Sequence, residues 1–242
     1  GINILLLPFV LKMLSTEKLG LWYNFTAIGA LVMLLDFGFS GTMTRNIAYA
    51  WSGAKEILKE GFIGIDGEHK PNLSLFSKVY CVSKRVYLVI ATTALVLLLT
   101  IGTFYIIKIT DGSIEKLEYL PAWFIYVTAI FINIYYAYWN PILRGIGAVK
   151  EYYQVLFITK IVQLIISIIG LILGYQLLAV SLAYLFSAIF GRLVSNKFFY
   201  NYEQVKENIE LIRNYKANPR EIRNIFITLW SSIYKQGILS IS

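Results

Sequence analysis

A single cysteine, Cys81, and a single histidine, His69, stand in a chain of 242 residues. One cysteine excludes an intrachain disulfide and any zinc site built on several thiolates. His69 falls in a polar loop and reads as solvent-exposed rather than functional. Charge is scarce too: Asp, Glu, Lys and Arg make up 15% of the residues, against about 25% in soluble domains. No metal-ligand spacing, phosphate-binding glycine loop or nucleophile elbow occurs. Asp36-Phe37-Gly38 spells the metal-binding tripeptide of protein kinases, but in an apolar run with no catalytic loop the match is chance. The expectation is a protein that is not an enzyme and needs no cofactor or metal.

What fills the chain instead is apolar. Hydrophobic residues are 57% and aromatic ones 16%, and the mean hydropathy is +0.64. Neither a soluble enzyme nor a nucleic-acid binder has that balance. The net charge of +8 is then assigned to Lys and Arg in the loops beside a membrane. The expected fold is all-α: a polytopic membrane protein with a six-helix transmembrane bundle and the start of a seventh span.

The spans are read from apolar length, because about 20 apolar residues cross the hydrocarbon core. Residues 2–14 form the tail of a first span, with Pro8 tolerated as a kink. Ser15 is placed to cap a second, which runs from Leu19 to about Ala50. The stretch from Trp51 to Asn72 reads as a loop or short surface helix. Further spans cover roughly Val86–Ile109, Tyr119–Leu143, Tyr152–Leu173 and Gln176–Phe199, the last two joined by a hairpin at Gly174-Tyr175-Gln176. Residues 1–200 are thus one bundle. Residues 201–224 are an amphipathic linker with Val205, Ile209 and Ile212 on one face, interrupted by Pro219, and 225–242 begin a further span. The chain opens on Gly1 inside an apolar run and stops inside another, so it reads as a fragment of a longer polytopic protein.

Lys and Arg set the orientation. Seventeen lie in 45–85, 144–160 and 192–223, and four on the opposite side. The richer side is the cytoplasmic one, which puts the N-terminal end and the 201–224 segment inside.

Ionisable residues within spans are costly and become site candidates by default. Asp36 is either a carboxylate tied to a neighbouring helix or loop, or a gating or coupling group for transport. Arg45 is nine residues on, about 13.5 Å along a continuous helix, so the two do not pair unless Gly38 and Gly41 break the helix. Arg45 is an interfacial anchor or a contact for an anionic head group. Asn133, Tyr136 and Asn140 fall at i, i+3, i+7, a polar face that either bonds to another helix or lines a sugar path. Arg144 either follows the charge rule or meets an anion. Lys160, with Gln163 beside it on the same face, either snorkels to the interface or lines a water-filled cavity. Arg192 is a weaker candidate of the same kind.

Several segments then carry a likeness: Leu7-Pro8, Leu14-Ser15-Thr16-Glu17-Lys18-Leu19-Gly20-Leu21-Trp22, Leu35-Asp36-Phe37-Gly38-Phe39-Ser40, Thr44-Arg45-Asn46-Ile47-Ala48 and, more loosely, the turn from Asn140 to Gly147. This pattern resembles the O-antigen and polysaccharide repeat-unit flippases of the multidrug/oligosaccharidyl-lipid/polysaccharide exporter superfamily. The resemblance implies an exporter of twelve to fourteen spans, two six-helix bundles around a central cavity, of which this chain supplies the first. It implies alternating access that carries an undecaprenyl-diphosphate-linked oligosaccharide across the bacterial inner membrane. Membrane lipid, that glycan carrier and the polysaccharide polymerisation machinery are the implied partners, and nucleic acid is not one. A diphosphate needs charge compensation of the kind Arg and Lys provide, which singles out Arg45, Arg144 and Lys160. Three other readings stay open, one of them a structural membrane subunit without transport, which predicts no polar cavity between spans. A multidrug or cation antiporter would offer buried carboxylates, whereas cations outnumber them here. An integral-membrane glycosyl- or acyltransferase would need a catalytic His or paired carboxylates at a membrane face.

Overall fold

A computed structural model of the chain describes residues 2–36, 38–58, 61–65, 70–110, 112, 114–208 and the single positions 210, 212, 218, 220, 223, 226 and 227. Helix α1 is Ile2–Met13 and α2 is Thr16–Met33. Ser15 caps α2, its Oγ accepting the Lys18 backbone N–H at 3.4 Å, which satisfies one of the orphan donors of the first turn. The long apolar run expected to be one helix to Ala50 is broken. A 3₁₀ turn, Leu34–Asp36, ends α2, and Gly38 takes φ +80 before α3, Phe39–Trp51. Without a Cβ, Gly38 occupies that left-handed conformation at little cost.

The 51–72 stretch is neither loop throughout nor helix. Strands β1, Ala54–Ile57, and β2, Phe62–Ile65, pair antiparallel with Ala54 opposite Ile65 and Ile57 opposite Phe62. Ala54 and Ile57 are buried while Lys55 and Glu56 between them are exposed, and Gly53 and Gly61 supply positive φ at the turns.

Helix α4, Leu73–Leu97, continues through a π turn, Leu98–Gly102, into α5, Thr103–Thr110. The rod is 38 residues long and starts well before the expected Val86. Lys78, Lys84 and Arg85 lie inside it, because a helix runs through its polar interfacial turns as readily as its apolar ones. Asn72 fixes its start, its Oδ1 accepting the Leu75 N–H at 3.0 Å. Next come α6, Lys116–Tyr136, α7, Trp139–Gly145, α8, Val149–Ile172, α9, Gln176–Asn201, and the short α10, Glu203–Lys206. The tight connection between α8 and α9 carries Gly174 at φ +83. In the linker, Val205 and Ile212 are buried, and Ile209 and Pro219 lie outside the described residues. Of the seventh span only Phe226 and Ile227 are described, both helical.

Among the described residues, five stretches are long and apolar enough to cross a membrane: Thr16–Asp36, Leu73–Thr110, Lys116–Gly145, Val149–Ile172 and Gln176–Asn201. The chain is an all-α, multi-pass membrane protein. Its residues fall into two compact units. One comprises the described residues to Leu35, Val89–Tyr135 and Gln154–Leu193. Its core is aromatic: Phe25 lies 4.9 Å from Trp123 and 5.6 Å from Tyr126 between ring centroids. Gly29 makes that approach possible, since a Cβ there would collide with the Tyr126 hydroxyl. Lys18 bonds Gln176 and pairs with Glu118 at one end of this unit. The other unit comprises Asp36–Leu88, Tyr136–Tyr153 and the described residues from Val194 on. There Phe76, Tyr80, Trp139 and Phe199 pack as a second aromatic cluster.

Candidate functional site

In the second unit the candidate residues gather around α3. Its Thr42, Met43, Asn46, Ile47 and Ala50 are buried and Arg45 is exposed. Helix α7 packs against that buried face at Gly145. A Cβ on Gly145 would stand 2.5 Å from Ile47 Cγ2 and 2.9 Å from the Thr44 carbonyl oxygen, so only glycine allows the contact. Arg45 follows Thr44 and Arg144 precedes Gly145 in the chain. This tight contact between the two helices therefore has an exposed arginine next to it in each chain segment. The Arg144 guanidinium lies 5.6 Å from the Tyr152 ring centroid, within cation–π range. Among the described residues neither Arg45 nor Arg144 has a carboxylate partner.

Asp36 sits at the break before α3 and is half-buried. Tyr87 donates its hydroxyl to Asp36 Oδ1 at 3.1 Å, and the Ser40 backbone N–H donates to the same carboxylate. Gly38 does break the helix, yet Asp36 and Arg45 form no ion pair. The carboxylate instead holds the first turn of α3 to α4. Tyr87 escaped sequence reasoning because a tyrosine in an apolar helix looks like core. The signal was its hydroxyl, which needs a partner when the ring is buried.

In the first unit Lys160 lies on α8, exposed, with its Nζ donating to Gln163 Oε1 at 3.2 Å. Gln163 is 5% exposed, so the pair joins a buried amide to an accessible ammonium. Among the described residues Lys160 has no carboxylate partner. A cation inside a span without a counter-ion is costly unless water or an anionic ligand meets it. Gly191 of α9 packs against Thr159, the residue before Lys160.

Helix α6 ends at Tyr136 and α7 begins at Trp139, so a short turn separates Asn133 and Tyr136 from Asn140 on the expected polar face. Asn133 turns back onto its own helix, Nδ2 donating to the Ala129 carbonyl at 3.2 Å. Asn140 is half-buried and Arg192 exposed. His69 lies outside the described residues. Among those described, no group of three His, Cys, Asp or Glu could hold a metal ion.

What the arrangement offers is positive charge. Two guanidiniums and one ammonium stand accessible, and guanidinium forks match phosphate oxygens bidentately. No family model, no curated protein and no solved structure matches this chain.

Proposed function

We propose that this protein is a flippase moving undecaprenyl-diphosphate-linked oligosaccharide repeat units across the bacterial inner membrane by alternating access, for surface polysaccharide or O-antigen synthesis. The observation that carries the reading is the α3–α7 contact. Its two sides, Thr44-Arg45-Asn46-Ile47 and Leu143-Arg144-Gly145, both come from segments that resemble the flippases. Both leave an arginine exposed and, among the described residues, without a carboxylate partner. Such a pair suits a diphosphate, whose charge must be compensated while it leaves bulk water.

On this reading Lys160 is a further cationic contact along the path, and Gln163, Asn133 and Asn140 offer amides to sugar hydroxyls. Asp36 serves as the anchor of α3. The N-terminal end and the basic loops face the cytoplasm, and the polymerisation machinery takes the delivered repeat units. In cells lacking the protein, lipid-linked glycan is expected to build up in the cytoplasmic leaflet while surface polysaccharide falls. Normal surface polysaccharide with no build-up would sink the proposal.

A further inference from the structure

We infer that a groove in the first unit, between α2 and the π-turn region after α4, is a binding site for one acyl chain of a membrane phospholipid. The groove has a volume of about 570 Å³. Ala27 and Leu31 of α2 and Leu35 of the 3₁₀ turn after it form one wall, and Leu97 and Ile101 part of the other. Leu31 and Ile101 are about two-thirds exposed, at 65% and 66%. Both walls belong to membrane-crossing stretches, so the groove opens into hydrocarbon. It stays neither empty nor wet: water needs two to four polar partners to occupy a cavity, and these walls offer almost none.

Its length selects the occupant. From Asn24 to Leu35 the helix rises about 16 Å, close to half the ~30 Å hydrocarbon thickness. The inner end is closed by a polar bridge, Tyr105 donating its hydroxyl to Asn24 Oδ1 at 3.2 Å. Beyond that bridge lies a smaller hollow of about 270 Å³ that includes Glu17 and Thr110, unsuited to hydrocarbon. A chain entering at the Leu35 end therefore runs through one leaflet and stops. That is the reach of a phospholipid acyl chain, and too short for a polyisoprenoid.

The groove wall is also built rather than incidental. The π turn, Leu98–Gly102, frees backbone groups from the ordinary helical ladder, and Thr103 takes one up, its Oγ1 donating to the Leu98 carbonyl at 3.1 Å. The buried Trp123 holds that hydroxyl, its Nε1 donating to Thr103 Oγ1 at 3.0 Å. Leu98 and Gly102, the two ends of the turn, both line the groove.

Native mass spectrometry of the detergent-purified protein, offered phosphatidylcholine and a polyprenyl phosphate as separate probes, tests the site. One phospholipid is expected to survive delipidation on the unsubstituted protein and on Ala30→Trp, which lies off the groove on the same helix. Ala27→Trp and Ile101→Trp, filling the groove from opposite walls, are expected to lose it, with helical content by circular dichroism unchanged. Should one filled variant fail to fold, the other reads the same outcome. Equal retention in a folded filled variant, no retained phospholipid, or preferential capture of the polyprenyl probe would each overturn the inference.

Discussion

Tyr87 donates a hydrogen bond from its hydroxyl to Asp36 Oδ1 at 3.1 Å, and the same carboxylate accepts the first-turn N–H of Ser40. One side chain thus ties the start of α3 to the middle of α4. Replacing Tyr87 by Phe removes a bond to a half-buried carboxylate and is expected to cost about 1–2 kcal/mol. Asp36→Ala removes both bonds and is expected to cost more. Asp36→Asn keeps an acceptor oxygen and is expected to leave both stability and transport near their starting values. Thermal unfolding in detergent and a double-mutant cycle with Tyr87→Phe measure the coupling. A well-folded Asp36→Asn protein that no longer transports would assign the carboxylate to coupling instead.

Gly145 lies where α7 packs tightly against α3. A larger residue meets Ile47 and the Thr44 carbonyl, so Gly145→Val is expected to destabilise by about 1–3 kcal/mol through overpacking. Gly20 is the control: nothing lies within 4 Å of a Cβ there. Gly20→Ala is expected to stabilise slightly, since Ala lowers the cost of ordering a helix by about 0.5–1 kcal/mol relative to Gly. Opposite shifts of the two melting temperatures are the expected result.

Thr103 has two bonds and Trp123 depends on one of them. Thr103→Val keeps the volume, but it strands the indole N–H of a fully buried tryptophan. The expected loss is about 1–3 kcal/mol, with faster amide exchange at Leu98–Gly102 than in the rest of the rod. Uniform exchange along α4 and α5 would deny Thr103 its role in the π turn.

How legible this was depended on the kind of signal each feature leaves. Apolar runs separated by basic loops placed α8, α9 and the start of α6 within a few residues, because crossing hydrocarbon imposes length and composition on any sequence. The capping of α2 by Ser15 was legible for a similar reason, a short polar acceptor just before an apolar helix. The break at Gly38 and the split between Tyr136 and Trp139 were not, since both interrupt runs that are apolar on either side. The hairpin at 54–65 left only a four-residue pattern in each strand. Among the candidate residues, the neighbourhood of Lys160 and Gln163 followed from helical spacing. The meeting of Arg45 and Arg144 segments at one helix contact did not, because about a hundred residues separate them and no local pattern records the pairing.

Lys160 is predicted to separate activity from stability. Lys160→Met removes an ammonium from a membrane span and leaves Gln163 buried, so it is expected to hold or raise the melting temperature. Transport is expected to fall sharply, with partial recovery in Lys160→Arg, which restores the charge. Unchanged transport in Lys160→Met would make the residue a snorkelling cation and no more.

The central claim concerns the substrate, and flipping by the purified protein tests it most directly. In proteoliposomes loaded with undecaprenyl-diphosphate-linked oligosaccharide, transfer between leaflets is read by the access of an added enzyme to the sugar. The account predicts protein-dependent transfer that Arg45→Gln and Arg144→Gln each reduce and the double substitution abolishes, all three remaining folded. Transfer no faster than in protein-free vesicles, or equal in the double variant, would contradict it.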